Sequence, residues 1–157
     1  VINCQGDEPE VNPRHIERLI EGQRQAMASP QPIFASTLAC PFPEHLDPAN
    51  PNTVKVVTTT EEAGPIPLAL YFSRSQLPFP RTRSHRPFLH IGLYAFSAET
   101  IAAFAAMRQA PLELTESLEQ LRILQAGHRM AVFEVDEAAP GIDTREDYDA
   151  FVARARG

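Results

Sequence analysis

The sequence has few of the features that mark several large classes of protein. Its only two cysteines, Cys4 and Cys40, lie too far apart for a disulfide framework or a zinc site. Positive charge is not in surplus either, because the formal net charge is −6. Nucleic-acid phosphates require a basic surface, so a nucleic-acid partner is disfavoured. We expect a reducing compartment and small-molecule chemistry.

Long apolar segments are also missing. The longest apolar run, at about residues 65–72, is far shorter than the ~20 residues of a membrane-spanning helix. No basic segment followed by an apolar core opens the chain, as it does in a signal peptide. We therefore expect a cytosolic protein with no segment in a membrane.

What the sequence does contain is the material of one folded domain. Its 157 residues are 43% apolar and 22% charged, which is typical of a globular chain that buries a core. The chain begins without a methionine, inside an apolar run. We therefore expect residues 1–157 to be the C-terminal part of a single, longer domain.

Apolar residues at helical spacing predict four helices, at about 13–28, 98–107, 111–126 and from about 144 onward. Asn12 and Ser97 are N-cap candidates for the first two. The third helix begins at Pro111 and ends at Gly127. Its predicted buried stripe consists of Leu114, Leu118, Leu121 and Leu124.

Segments rich in β-branched and aromatic residues predict strands that alternate with these helices. They lie at the start of the chain and at about 33–40, 53–59, 68–72, 88–97 and 130–135. The segments at 53–59 and 68–72 are expected to form a hairpin. Residues 76–87, with three arginines among prolines, are expected to form an ordered loop. This order predicts an α/β protein with a mostly parallel sheet and an inserted antiparallel hairpin.

Two carboxylates stand just after predicted strands. Asp7 follows Gly6 near the start of the chain, and Asp143 follows Gly141 near its end. Both could reach the sheet edge where α/β proteins bind ligands, and a carboxylate pair with phosphate oxygens and water suits Mg²⁺. Taken singly, Asp7 is better explained as an acidic turn and Asp143 as an acid at a helix N-terminus.

Two further pairs of side chains could bind a polyhydroxylated ligand. Glu119 and Gln120 are adjacent on a predicted helix, and together they offer a carboxylate and an amide. His90 and Tyr94 share one side of a predicted strand, with Gly92 opening space between them. The ordinary alternatives are a solvated helix face and a structural histidine.

Arginine accounts for nearly all of the positive charge, because only Lys55 among the 14 basic residues is a lysine. The forked guanidinium suits recognition of a carboxylate, and Arg74 and Arg81 are candidates for that role. Loop arginines more often only improve solvation, so this signal is weaker than the others.

Five motifs in order along the whole chain resemble those of the 3-deoxy-manno-octulosonate (Kdo) cytidylyltransferases, also called CMP-Kdo synthetases. The motifs are Gln5-Gly6-Asp7-Glu8-Pro9, Leu70-Tyr71-Phe72-Ser73-Arg74, His90-Ile91-Gly92-Leu93-Tyr94, Ser117-Leu118-Glu119-Gln120-Leu121-Arg122 and Gly141-Ile142-Asp143-Thr144.

The resemblance implies a Rossmann-like nucleotide-diphospho-sugar transferase fold, a homodimer and Mg²⁺-dependent transfer of the cytidylyl group from CTP to Kdo. The products would be CMP-Kdo, used for lipopolysaccharide, and pyrophosphate. Asp7 and Asp143 would be the catalytic pair that binds Mg²⁺. The residues that the resemblance assigns to the sugar are Gln5, Arg74, Arg81, His90, Tyr94, Glu119 and Gln120.

The sequence departs from the family pattern in two places. Leu89 stands directly before the strand histidine, where the family usually has a basic residue. The 157 residues also contain no glycine-containing basic loop of the kind with which the family holds the phosphates of CTP. We therefore predict that these residues alone give little or no cytidylyl transfer. We also expect an uncovered sheet edge or apolar face that favours association.

Two alternatives to Kdo transfer stay open at this point. The chain could serve a cytidylyltransferase for another acidic sugar, such as a sialic acid or an amino-substituted Kdo. It could also be a non-catalytic remnant that binds a sugar or mediates oligomerisation.

Overall fold

The structure is a computed structural model that describes residues 1–6, 10–82, 87–139, 141–142 and 144–156. The strands of this described part are β1 (Ile2–Cys4), β2 (Ala35–Pro41), β3 (Lys55–Thr58), β4 (Ala69–Ser73), β5 (Phe88–Phe96) and β6 (Met130–Glu134). Its α-helices are α1 (Pro13–Ala28), α2 (Ala98–Ala106), α3 (Pro111–Glu116), α4 (Gln120–Gln125) and α5 (Arg145–Arg156). A short 3₁₀ turn covers Glu61–Ala63.

Strand β5 is the centre of a six-stranded sheet with the order β4-β3-β5-β2-β6, in which β1 also pairs with β5. Strand β2 follows one edge of β5 along its length. The other edge is shared, because β3 pairs with Phe88 and Leu89 while β1 pairs with Leu93 to Ala95. The sheet therefore splits at residues 90–92 of β5, between the ends of β1 and β3.

The α/β class and the β3–β4 hairpin are confirmed, but the expectation of a mostly parallel sheet was wrong. Among the described strands only β2 and β6 pair in parallel, and β5 is antiparallel to β1, β2 and β3. The reason is the central position of β5, which runs against all three of its neighbours. The sheet is mixed.

The sheet also curls, so that the start of β4 reaches β6. Leu68 forms a bridge with Ala131, and the N–H of Val132 donates to the carbonyl of Pro67 at 2.9 Å. Two apolar clusters occupy the two faces of the sheet. One cluster packs against α2, α3 and α4, and the other packs against α1. Alternating residues of β2 divide between them, as the pleat of a strand requires.

Local sequence signals set most of the element boundaries. The side chain of Asn12 accepts a hydrogen bond from the N–H of Arg14, and Pro13 occupies the first turn of α1. Ser97 and Thr100 form a capping box at the start of α2. The predicted bounds of α1, α2, α5 and the strands agree with the structure to within two residues.

The single helix predicted from Pro111 to Gly127 was wrong. The chain forms α3 and α4, separated by Ser117 with φ 52°, and Leu114 is 61% exposed although Leu118 and Leu121 are buried. The cause lies outside the helix. The Glu116 carboxylate accepts from the hydroxyl of Ser73, the last residue of β4, and from the backbone N–H of Arg74, and the Glu116 carbonyl accepts from Nε of Arg74.

Several apolar side chains are exposed. Strand β1 is exposed along its length, and Leu70 and Phe79 are also exposed. On α5, Tyr148 is 46% exposed. None of the described helices combines the length and the apolar character needed to cross a membrane.

Candidate functional site

A cleft of about 880 Å³ opens beside residues 90–92 of β5, in the gap between the ends of β1 and β3. Its walls come from the end of β1, the loop before β3, the end of β4 and the junction between α3 and α4. Six of the seven side chains that the sequence predicted for sugar binding belong to residues that line it. They are Gln5, Arg74, His90, Tyr94, Glu119 and Gln120.

The floor of the cleft depends on the absence of a side chain at Gly92. A Cβ atom built there would lie 2.4 Å from Oε1 of Gln5, and the N–H of Gln5 donates to the Gly92 carbonyl at 3.3 Å. Gly92 therefore does more than open space between His90 and Tyr94. It lets the Gln5 amide lie directly against β5.

His90 is held in the floor by contacts on several sides. Its ring packs edge-on against Phe72 at 4.9 Å between centroids and lies 5.5 Å from the Tyr94 ring. Its Nε2 is 3.0 Å from the hydroxyl of Thr37, a β2 residue that has no exposed surface. Burial lowers the pKa of His90 to about 3, so the ring is neutral near pH 7.

Gln120 has the least satisfied side chain in the described part of the chain. It is only 3% exposed, and neither its Nε2 nor its Oε1 has a hydrogen-bond partner. A buried polar group left unpaired costs roughly 1–3 kcal/mol. Its neighbour Glu119 is exposed at the same wall. An amide held without partners beside a cleft is an arrangement that a polar ligand would complete.

Arg74 lines the cleft, but much of its guanidinium is hydrogen-bonded to backbone carbonyls around the cleft. Its Nε donates to the carbonyl of Glu116 at 2.7 Å, its Nη1 to that of Pro51 at 2.9 Å and its Nη2 to that of Ser117 at 3.3 Å. These bonds tie the loop before β3 to the α3–α4 junction. The geometry favours a structural role, and a contact of Arg74 with sugar stays a prediction.

Sequence reasoning did not assign a structural role to Lys55. It noted Lys55 only as the sole lysine of the chain. Lys55 is completely buried at the start of β3. Its Nζ donates to the carbonyls of Asn50, Thr53 and Arg74 at 2.9, 2.5 and 2.5 Å. Burial, and then the nearby Arg74 charge, lower the Lys55 pKa. Its three acceptors all belong to residues of the cleft wall.

Comparison with known proteins agrees with the motifs. A family model described as cytidylyltransferase matches residues 1–131, most of the chain. The chain belongs to the cytidylyltransferase family.

The resemblance to CMP-Kdo synthetases is confirmed by relatives within that family. The chain is 40% identical over 144 residues to the 3-deoxy-manno-octulosonate cytidylyltransferase of Escherichia coli, across 91% of this chain and 54% of that protein. The enzyme of the same name from Chlorobium phaeobacteroides is 42% identical over 152 residues, across 94% of this chain and 58% of that protein. These two matches show that the chain spans little more than half the length of such relatives.

A solved structure shows that the fold is also shared. It is a CMP:2-keto-3-deoxy-manno-octonic acid synthetase in complex with CTP. The superposition has a TM-score of 0.84 at 36% identity and covers 99% of this chain and 61% of that one. The predicted nucleotide-diphospho-sugar transferase fold is therefore confirmed.

The two carboxylates predicted for the site, Asp7 and Asp143, lie outside the described residues. Gly6 and Thr144, which adjoin them in the chain, and Gly141, two residues before Asp143, line the cleft. Among the residues that the structure describes, no group of three or more His, Cys, Asp or Glu side chains could hold a metal ion. The assignment of Mg²⁺ to Asp7 and Asp143 stays a prediction.

The structure does not place Arg81 among the residues that line the cleft. Arg81 lies in an irregular, exposed part of the loop after β4, and its N–H donates to the Phe79 carbonyl. Leu89, where the family usually has a basic residue, is 9% exposed and belongs to the apolar cluster against α1. Its contribution to the site is apolar packing.

Proposed function

We propose that the cleft binds Kdo and that the chain serves the transfer of the cytidylyl group from CTP to Kdo, yielding CMP-Kdo and pyrophosphate. The observation that best supports this is the unpartnered amide of Gln120 in a cleft whose other polar groups include His90 and Glu119. The names of the relatives and the CTP bound in the solved neighbour support the choice of substrates.

The role of the cleft residues in this proposal is to orient the sugar. Gln5, His90, Tyr94, Glu119 and Gln120 supply hydrogen bonds to several hydroxyl groups. Orientation brings the anomeric hydroxyl to the α-phosphorus of CTP, where a new O–P bond forms as the bond to pyrophosphate breaks and the hydroxyl proton leaves. Positioning of this kind contributes a large share of the rate in such transfers.

The carboxylate of Kdo requires a cation, and we assign that role to Arg74, because no other Arg or Lys among the described residues lines the cleft. Three of the five N–H groups of its guanidinium donate to backbone carbonyls, so two are left for a ligand. His90 is unsuited to the role because its ring is neutral near pH 7, since burial lowers its pKa to about 3.

We assign Mg²⁺ to Asp7 and Asp143. Carboxylate oxygens are the hard ligands that Mg²⁺ prefers, and residues next to both aspartates line the cleft. When bound, the ion would stabilise negative charge on the oxygens around the transferred phosphorus. A matched test is Asp7→Asn, which is expected to abolish any effect of Mg²⁺ on ligand binding while Kdo binding in metal-free buffer stays measurable.

We further propose a cytoplasmic homodimer that supplies CMP-Kdo for lipopolysaccharide, as the resemblance implies. Light scattering tests the dimer, and a clean monomer at micromolar concentration would contradict it. Within the 157 residues themselves, we propose little or no turnover with CTP, Kdo and Mg²⁺. Release of pyrophosphate at rates typical of enzymes would overturn that statement.

Calorimetric titration tests the choice of sugar. Kdo is expected to bind the chain, and Gln120→Met is expected to weaken binding by about tenfold because the ligand loses its amide partner. Titration of a sialic acid and of an amino-substituted Kdo in parallel distinguishes the acidic sugars. Kdo binding that depends neither on Gln120 nor on Asp7 and Mg²⁺ would favour a non-catalytic sugar-binding remnant.

A further inference from the structure

Thr37 of β2 lies beneath the cleft, where β2 changes register against β5. The shift falls between Thr37 and Leu38, which pair with Tyr94 and Ile91 respectively. The Thr37 side chain sits at this irregularity and has no exposed surface. No motif of the sequence pointed to it.

The Thr37 hydroxyl has three polar neighbours but only one hydrogen. Its Oγ1 lies 2.8 Å from the carbonyl oxygen of Leu93, 3.3 Å from that of Ile91 and 3.0 Å from Nε2 of His90. A carbonyl oxygen can only accept. The hydroxyl hydrogen therefore belongs to a carbonyl, and the closest is that of Leu93. The contact with His90 must then use a hydrogen carried by Nε2.

We propose that Thr37 is a positioning residue that holds His90 in the neutral Nε2–H tautomer, so that Nδ1 offers the cleft only a lone pair. Among the described residues nothing hydrogen-bonds to Nδ1, and Nδ1 is not sealed from solvent as the Gln120 amide is. The contacts of the ring with Phe72 and Tyr94 fix its plane.

This tautomer gives His90 one defined task, and the statement rests on the proposed function. A bare Nδ1 accepts a hydrogen bond from a ligand hydroxyl and cannot donate one to a carboxylate or phosphate oxygen. The site should therefore select a sugar with a hydroxyl at this position over a deoxy or methoxy analogue. The low pKa of the ring agrees with this assignment, since burial keeps the ring uncharged.

The tautomer can be read directly by long-range ¹H–¹⁵N NMR of the chain labelled with ¹⁵N-histidine. The sequence has five histidines, and the signals of His90 are those lost in His90→Asn. At pH 7 and without sugar, we expect a protonated Nε2 and a bare Nδ1. A protonated Nδ1, or an imidazolium with both nitrogens protonated, would overturn the proposal whether or not any variant folds.

Two substitutions at one position test the role of Thr37. Thr37→Ser keeps a hydroxyl and is expected to preserve the Nε2–H pattern, whereas Thr37→Val removes the acceptor and is expected to populate the other tautomer. Kdo affinity should fall by about tenfold in Thr37→Val and stay within about twofold in Thr37→Ser. An unchanged tautomer in a folded Thr37→Val chain would contradict the positioning role.

The two proposals fail in different ways. If the unmodified chain shows the Nε2–H tautomer but does not bind Kdo, the proposed function is wrong and the tautomer assignment stands. If Kdo binds and Nδ1 of His90 keeps its ¹⁵N shift, the acceptor role toward the sugar is wrong. A shift of Nδ1 that occurs with Kdo, but not with an analogue lacking one hydroxyl, would support it.

Discussion

The two walls of the cleft treat their buried polar groups in opposite ways. On the wall before β3, the three acceptors of Lys55 are backbone carbonyls at 2.5 to 2.9 Å. On the wall formed by α4, the amide of Gln120 is equally buried but has no partner among the described residues. The buried polar group of the first wall has all its hydrogen-bond partners within the protein. The buried amide of the second wall needs a ligand to supply its partners, so hydrogen bonding of buried groups distinguishes the scaffold from the binding surface.

The largest effect is expected when the satisfied wall is broken. Lys55→Met removes the donor from three carbonyls and leaves them buried, which should lower the free energy of unfolding by about 3 kcal/mol. Urea unfolding followed by circular dichroism measures the loss. The matched control is Arg24→Met, because the Arg24 side chain is 75% exposed and should contribute no more than about 0.5 kcal/mol. If both substitutions lowered the free energy of unfolding by the same amount, Lys55 could not be assigned to a stabilising scaffold.

The next largest effect is a dependence of stability on pH that is caused by protonation of His90. Its pKa is lowered from 6.5 to about 3 in the folded chain, so below pH 6.5 the unfolded chain binds a proton that the folded chain does not. Stability should therefore fall as pH decreases, by about 2 kcal/mol between pH 6.5 and 5.

The His90→Asn variant isolates this contribution. Its unfolding free energy, measured from pH 8 to 5, should decline less than that of the unmodified chain by about the same 2 kcal/mol. Parallel curves for the two proteins would mean that His90 takes up a proton as easily in the folded as in the unfolded chain.

A smaller effect of opposite sign is expected at the unsatisfied wall. Gln120→Met replaces an unpaired amide by an apolar chain of similar length, so the free energy of unfolding should rise by about 1 kcal/mol. Sugar binding should weaken in the same variant. Thermal and urea unfolding without ligand measure the first property. A loss of stability would show that the Gln120 amide is part of the scaffold after all.

The smallest change in stability is expected at Gly92. An alanine Cβ there would displace the Gln5 side chain, which is only half-buried, so unfolding should change by less than about 1 kcal/mol. Kdo binding should nevertheless weaken severalfold, because Gln5 leaves the floor of the cleft. Unchanged affinity in Gly92→Ala would remove Gln5 from the binding set.

The sequence predicted those features that depend on neighbours in the chain. Asn12 and Ser97 predicted the starts of their helices, because an N-cap side chain bonds to backbone groups within the first turn. The break at Ser117 was not predictable in this way, because its cause is the contact of Glu116 with Ser73 and Arg74, 43 and 42 positions away. The direction of β5 relative to its neighbours was likewise not predictable, because it depends on which distant strands β5 pairs with.

The site was predictable to a different degree. The six cleft residues were predicted because their motifs, taken in order, resemble those of one family, and not because any single residue indicates a ligand. The roles of Thr37 and Lys55 were not predicted, because a threonine or a single lysine indicates no role until its buried hydrogen-bond partners are known. Arg81 shows the converse, because its residue type suited the chemistry but Arg81 itself does not line the cleft.

The curl of the sheet bears on how the chain behaves beside other copies of itself. An outer strand normally offers a row of N–H and carbonyl groups to which a foreign strand can add. Here the outer strand β6 is met by Pro67 and Leu68, and Pro67 accepts from Val132 but has no N–H with which to extend a ladder. The residues just before β4 thus occupy the outer edge of β6 and block the addition of a further strand there. We expect any added strand to pair elsewhere on the sheet.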